Sequence, residues 1–579
     1  MSPLERTMTP LKAAVAAVLL ALIAGLMGAF TLPVLDRDEA RYAQASAQML
    51  ESGDYVQIRY LDTARNKKPA GIYWLQAASV AGVSSEEARA IWAYRLPSLA
   101  GAMLAAAFTA LAGARLYGAG AGLAAGSLLG VGVLLGTEAG IAKTDAMLTA
   151  CVALSFLAFI ALRQAAEIAD PARRRGAGRA WAALWWAAIG AGALIKGPVA
   201  PMTAGLAVIA LCALERRIDW ARPLAFWPGP LIAAGFVLPW LLAVELTGAG
   251  FLAEALSADL GPKLVSGDEG HGAPPGLHLL LLPLLFFPAI ALLPAGVRAA
   301  VKDWRASRAP VARSAGLAAK LCVCFAAPTW LVFEILPTKL PHYVLPAYPA
   351  LAVLAGLGFV RLTETARVWI ALGAGLMVVS AIVYAAGLRL LAAQYGGAEA
   401  AAYALSAPLL LTAALAAVFA WRRRLAALLA ALIVSGLIWH GAMRGVVAPS
   451  ASDLFVSARA AQALEAVRAA APSAPVVSTF TEPSFAFLAG GALTLSSPEA
   501  VSAGAFDRDA AAVYVLDEAR WYEGADPQDR DARTARRAAL MEAACALERV
   551  DGVNYSRGEA TTVIVMLTGC PPAEEGDAP

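Results

Sequence analysis

"AAVAAVLLALIAGLMGAFTLPVLDRDEARY", residues 13–42, joins two kinds of sequence. Residues 13–35 carry no charge, and a run of about 20 such residues is what a helix needs to cross a bilayer. Asp36, Arg37, Asp38, Glu39 and Arg41 then follow almost without a break. A basic n-region with Arg6 and Lys12 precedes the run, but "GAFTLPVLDRDE" is a poor cleavage site, so the segment reads as an uncleaved first span. With the N-terminus in the cytoplasm, the charged stretch emerges on the opposite face.

The rest of the chain repeats this pattern. It is 59% hydrophobic and 15% charged, against about 25% charged for an ordinary soluble domain, with a mean hydropathy of +0.63. These values describe a polytopic membrane protein, and a net charge of +3 gives no argument for nucleic acid. Apolar windows fall at 12–33, 93–115, 119–137, 146–165, 180–195, 198–214, 226–246, 276–296, 316–336, 346–361, 368–390, 404–421 and 425–445, about thirteen spans. The strongly basic loops, 172–179, 215–217, 297–314, 361–367 and 421–424, then all share the cytoplasmic face, as lysine and arginine placement requires. The other face collects "DRDEARY", "RNKKPAGIYWLQ", "AKTDAML", "IKGP", "DEGHGAPP" and "TKLPHYVLPAYP", which mix acids, bases, His and Tyr.

Residues 446–579 change character. The short runs "APVVSTF", "ALTL", "AAVYVLD" and "TTVIVML" predict strands, and "ARTARRAALMEAACALERV" predicts an amphipathic helix between the last two, a small α/β domain outside the membrane. Cys151, Cys212, Cys322 and Cys324 lie in apolar runs and read as core residues. Cys545, expected on that helix, and Cys570 would suit a disulfide in an oxidising compartment, with the pairing left open.

The loop after the first span is about sixty residues long, too long for a simple connector. Asp38 reads as the N-cap of a surface helix, with Glu39 in its first turn, Ala43, Ala47 and Leu50 on one face, and Gly53 as its stop. A cap carboxylate can also face a substrate. Lys67 and Lys68, next to the aromatic "GIYWLQ", can reach a phosphate at headgroup depth or snorkel to the interface. Asp145 is an acid at the end of a span, costly enough to suggest function, or a cap. Arg59, Lys196, His271, Lys339, His342 and Tyr343 complete a set suited to a polyanion.

Taken in order, "DRDEARYAQASAQMLESGDY", "NKKPAGIYWLQ", "AKTDAML", "KGP" and "KLPHYVLPAYP" resemble the GT-C membrane glycosyltransferases, and within them the lipid A aminoarabinose transferases. The resemblance covers residues 30–350. It implies a GT-C fold with about thirteen transmembrane helices, juxtamembrane helices in loop 34–92 and a periplasmic C-terminal α/β domain. It also implies transfer of a sugar from a polyprenyl (undecaprenyl) phosphate to lipid A or a similar acceptor, at the periplasmic face of the bacterial inner membrane. By position in the motifs, Asp38 corresponds to the catalytic acid and Asp145 to a second acid. Lys68 and Tyr343 correspond to ligands of the lipid phosphate. The residue before Lys68, often Glu in this family, is Lys67 here, which adds positive charge and removes a carboxylate that a metal or amino sugar could use.

The chemistry agrees with the resemblance. A lipid phosphate leaving group needs cations to stabilise its charge, and Lys68, Lys196, Lys339 and Tyr343 are suited to that. Asp38, with Glu39 beside it, can activate an acceptor hydroxyl. No nucleotide-binding motif is evident, no cofactor is called for, and a divalent metal is left open. Beyond donor, acceptor and membrane lipids no partner is implied, and a monomer is expected. A protein O-glycosyltransferase is the alternative within the class. A lipid-linked sugar transporter or flippase is the alternative outside it, although transporters concentrate charge at the membrane midplane in paired halves.

Overall fold

The computed structural model describes residues 8–569 apart from 249, 262–271, 307–312, 505–506 and 508–509. Helix α1 (Pro10–Leu26) starts with Thr9 as a true cap, its side chain accepting from the Lys12 amide. The first loop folds as α2 (Asp38–Ser52), a two-residue hairpin of β1 (Arg59–Tyr60) and β2 (Thr63–Ala64), and α3 (Gly71–Val83). Then come α4 (Ile91–Tyr117), the bent pair α5 (Ala119–Gly130) and α6 (Val133–Ala139), α7 (Asp145–Ala165), α8 (Pro171–Lys196), α9 (Val199–Glu215) and α10 (Pro228–Leu246).

Helices occupy all thirteen apolar windows. Among the described residues, eight are long and apolar enough to cross a membrane, and nine if the pair bent by 57° counts as one span. α1 and α9 are apolar but shorter. The window at 276–296 is broken: a helix ends at Leu285 and the next begins at Leu293. The last span runs on to Ser450 through a π-helical turn at Gly441–Val447. That turn buries Arg444, whose guanidinium donates to the carbonyls of Ala24, Gly25 and Gly136, so the charge is spent on helix-end carbonyls.

The loops separate into two ends. At one end Arg163 pairs with Glu215 at 2.9 Å, and Arg423 donates to the Thr365 carbonyl at 2.9 Å, joining the arginine-rich loops. At the other end, the first loop, residues 140–145, the start of α9 and the turn at Pro341–Ala347 come together. The fold thus gathers the mixed-charge loops, as the lysine and arginine pattern implies.

The C-terminal α/β unit is a five-stranded sheet in the order β4-β3-β5-β7-β6, from β3 (Val476–Ser478), β4 (Leu493–Leu495), β5 (Ala512–Asp517), β6 (Ala544–Asn554) and β7 (Glu559–Thr568). Side chains alternate between faces: Val563, Val565 and Leu567 pack under helix Val456–Arg468, and Ile564 and Met566 pack with Leu540 and Trp521. One expectation is corrected here. The helix Pro527–Ala543 stops short of Cys545, which lies on β6, because residues 544–554 pair antiparallel with β7 as a hairpin. Cys545 is disulfide-bonded, and Cys570 lies outside the described residues.

Candidate functional site

A cavity of about 470 Å³ opens where those mixed-charge loops meet. Of the residues singled out from sequence, Asp38, Lys67, Lys68, Asp145, Lys196, His342 and Tyr343 line it. They come from five separate segments, and close backbone approaches hold the segments in register. A Cβ on Gly71 would sit 2.7 Å from the Leu194 carbonyl oxygen, so the Lys67–Lys68 loop can pack on the end of α8 beside Lys196 only because that position is glycine. A Cβ on Gly101 would lie 2.5 Å from the Met147 amide, so α4 crosses α7 next to Asp145 only at a glycine.

Asp145 is buried at the first turn of α7, with Thr144 as the N-cap position, so it is not the cap. Its carboxylate accepts from Lys196 at 2.6 Å and lies 3.9 Å from both Lys143 and His342 Nε2. Lys143 reaches Glu138 at 3.0 Å, and His342 Nδ1 lies 4.0 Å from the same glutamate. Burial works against the Lys143 charge, but Glu138 and Asp145 outweigh it and hold the ammonium firmly protonated. The Ser98 hydroxyl donates to the Lys143 carbonyl at 3.0 Å and fixes this loop to α4. The five groups form one buried charged and polar cluster, with Lys143, Asp145, Lys196 and His342 at the cavity wall and Glu138 behind them.

Asp38 is different. It is exposed, at the first residue of α2, and the N-cap position is Arg37, so the expected Asp38 cap is corrected. Gly53 does end the helix, in the left-handed conformation. One turn along α2, Arg41 and Tyr42 also face the cavity, with Arg65 beside them. The Arg65 guanidinium is buried, stacks 5.4 Å from the Tyr42 ring centroid and donates to the Tyr73 hydroxyl at 3.3 Å. Burial drives the Tyr42 hydroxyl far above the ordinary tyrosine range, so it stays neutral. Lys196 lies 5.8 Å from the ring centroid of Tyr343, whose face is within reach of the ammonium. The remaining wall is apolar, with Val237, Leu241, Phe251, Leu256, Phe333 and Leu336.

Three residues proposed from sequence lie elsewhere. Glu39 is 1% exposed and saturated: it accepts from Arg95 Nε and Nη2 at 2.9 Å each and from the Leu35 and Ala142 amides at 2.8 Å each. It ties α2 to α4 and to the loop before Asp145, and both its oxygens are spent on that. Arg59 pairs with Gln57 at 2.6 Å in a separate shallow pocket. Lys339 is buried and donates to the Leu336 carbonyl just past a helix end, a favourable place for a cation. His271 lies outside the described residues. Sequence reading missed Glu138, Arg41, Tyr42 and Arg65 as site members. The helical spacing of Arg41 and Tyr42 from Asp38 was the available signal.

Among the described residues no three His, Cys, Asp or Glu side chains cluster to hold a metal ion. Among the described residues the two acids that line the cavity are Asp38 and Asp145, and Asp145 is committed to two ammonium groups, so this donor set fits an anion better than a divalent ion.

No protein-family model matches the chain. It is 27% identical over 358 residues, 61% of this chain and 59% of the relative, to an undecaprenyl phosphate-alpha-4-amino-4-deoxy-L-arabinose arabinosyl transferase of Pectobacterium carotovorum. It is 30% identical over 351 residues to the enzyme of that name from Pseudomonas aeruginosa, covering 56% of this chain and 55% of that one. The matched stretch thus spans little more than half the length of these curated relatives. Two solved structures of ArnT from Cupriavidus metallidurans, apo and bound to undecaprenyl phosphate, match at TM-scores of 0.73 and 0.71, with 18% and 20% identity. Each match covers 95% of this chain and 97% of the other. The chain resembles the aminoarabinose transferases in sequence, and it has the GT-C fold of these structures, carried by a multi-pass membrane bundle.

Proposed function

We propose that this chain is a glycosyltransferase that moves a sugar from an undecaprenyl phosphate donor to lipid A or a closely related lipopolysaccharide acceptor, at the periplasmic face of the inner membrane. The observation that carries this reading is a single cavity combining one exposed carboxylate, six Lys or Arg side chains (Arg41, Arg65, Lys67, Lys68, Lys143, Lys196) and a broad apolar wall. That combination suits an amphiphile with a phosphate head. The apolar wall belongs partly to α10, whose Leu238 and Leu242 are exposed on the bundle surface, which gives a polyprenyl tail a route from lipid to site. The resemblance to proteins named for this donor supports the same assignment.

In the reaction, an acceptor oxygen attacks the anomeric carbon as the bond from that carbon to the lipid phosphate breaks. If the acceptor is a hydroxyl, its proton passes to Asp38; if it is already anionic, Asp38 and Arg41 orient it. The electron pair leaves on the lipid phosphate, where Lys67, Lys68, Arg65 and the Tyr343 hydroxyl stabilise it. Asp145 holds Lys196, Lys143 and His342 in place through the ionic cluster. The described residues after Ser450 form the soluble domain of the periplasmic face in this reading, and the protein acts as a monomer.

The experiment is mass spectrometry of lipid A and of glycoproteins from cells with and without the gene. A single-sugar mass absent from lipid A in the deletion supports the proposal. A loss confined to glycoproteins, or no loss in either class, refutes the acceptor assignment.

A further inference from the structure

The two residues before Asp38 are held by the far end of the chain. The Asp36 carboxylate accepts from the Ser484 amide at 3.1 Å and from the Ser484 hydroxyl. The Asp36 amide donates to the Tyr555 hydroxyl at 2.5 Å, and Arg37 Nη2 donates to the Ser556 carbonyl at 2.7 Å. Tyr555 and Ser556 form the turn between β6 and β7, and Ser484 opens helix Pro483–Ala489. Glu482, beside it, is tied back to that turn by Asn554 at 2.5 Å and Arg557 at 3.2 Å.

Arg37 itself has φ +61° and ψ −99°, a backbone conformation that non-glycine residues adopt only when their surroundings impose it. No side chain caps α2 at this point. The helix start is set by the contacts to Ser484, Tyr555 and Ser556 on one side and by the saturated Glu39–Arg95 pair on the other. Asp38 is the residue between these two anchors.

A second contact acts beneath the same helix. Phe487 is wholly buried, but its cluster is not the core of its own sheet: it packs with Val34, Ala40, Ala43, Ala47, Val80 and Tyr94. Its ring meets Tyr94 edge-on at 5.3 Å, and Arg89 lies 5.6 Å above it while donating to Gln44 on α2 at 2.7 Å. A side chain of the C-terminal unit thus completes the packing under α2.

We infer that the C-terminal α/β unit is a positioning element of the transfer site: Ser484, Phe487 and the Tyr555–Ser556 turn impose the backbone at Asp36–Arg37 and so fix where Asp38 projects into the cavity. This rests on the reading of Asp38 as the catalytic carboxylate. It assigns the unit to turnover, not to donor capture, since Lys67, Lys68, Arg65 and Tyr343 belong to other segments.

The test uses the full chain in lipid nanodiscs, with the mild double variant Ser484→Ala/Tyr555→Phe and, separately, Phe487→Leu. Amide exchange over residues 36–42 should rise about tenfold or more as the turn loosens. Undecaprenyl phosphate binding should stay within about twofold, and kcat for sugar transfer should fall about tenfold or more with KM nearly unchanged, the signature of a misplaced group. Unchanged exchange over 36–42 overturns the inference. So does faster exchange with kcat intact, or a loss carried by KM. If the wild-type protein transfers no sugar, the functional proposal fails on its own, and the exchange measurement still decides whether this unit sets the Asp38 turn.

Discussion

Replacing Asp145 with Asn removes one of the two acids that hold the cavity's ionic cluster. Its carboxylate lies 2.6 Å from Lys196 and 3.9 Å from Lys143. At 2.6 Å the gross attraction to Lys196 is on the order of 6 kcal/mol at an effective dielectric of about 20. Desolvation of both groups offsets part of this, and breaking a buried pair by removing one partner costs about 3–5 kcal/mol. Lys143 keeps Glu138 at 3.0 Å, so the loss falls mainly on Lys196. Asp145→Asn should therefore lower thermal stability clearly, and added undecaprenyl phosphate should restore most of it, because the phosphate supplies the missing negative charge. Asp38→Asn should behave oppositely. Asp38 is exposed, and its loss should change stability by no more than about 1 kcal/mol, yet it should abolish transfer. The assay is thermal unfolding of both variants with and without undecaprenyl phosphate, alongside transfer. An Asp145→Asn protein as stable as wild type without lipid would refute the cluster argument, and so would one that the lipid fails to stabilise further than it does wild type.

Lys68→Ala should weaken undecaprenyl phosphate binding about tenfold or more, the worth of about 1.5–3 kcal/mol for a hydrogen bond to a charged group, measured by titration in detergent. Glu39→Gln should cut the yield of folded protein without any specific effect on donor affinity, since it strips charge from a buried, fully bonded pair, at a cost of about 3–5 kcal/mol. The Asp36 carboxyl is pushed up to about 6, first by its burial at the junction and then by Glu482, against the Ser484 hydrogen bonds and Arg37. The folded state then holds this proton more tightly than the unfolded chain, whose value is 3.8. Stability from this group is present in full below about pH 4 and is lost as pH rises through about 6. Melting temperatures of wild type and Asp36→Asn between about pH 4 and pH 7 should show that slope in the wild type alone.

The parts of the fold and site that were legible in the sequence are those whose signal is local. Each apolar window became helical because twenty apolar residues have few other options, and lysine and arginine placement sorted the loops onto two ends. The residues that converge on the cavity, Asp38, Lys67, Lys68, Asp145, Lys196, His342 and Tyr343, were visible because charge beside a span is conspicuous. What failed was pairing. Glu39 sits next to Asp38 in sequence, and only the fold brings Arg95 and the Ala142 amide to it. Lys339 resembles the other loop lysines, but a helix-end carbonyl takes its charge. Glu138 lay just past the end of the 119–137 window, and only the turn at residues 140–144 folds Lys143 back onto it. Residues 544–554 hold enough Ala, Leu and Glu to pass for helix, and β7 draws them into a hairpin.

The most direct measurement is mass spectrometry of lipid A from a deletion strain complemented with either the wild-type gene or Asp38→Asn, with membrane levels of the two proteins matched. Wild type should restore a single-sugar mass on lipid A, and Asp38→Asn should not. A lipid A sugar restored equally by both, or a lipid A unchanged by the deletion, would contradict this reading.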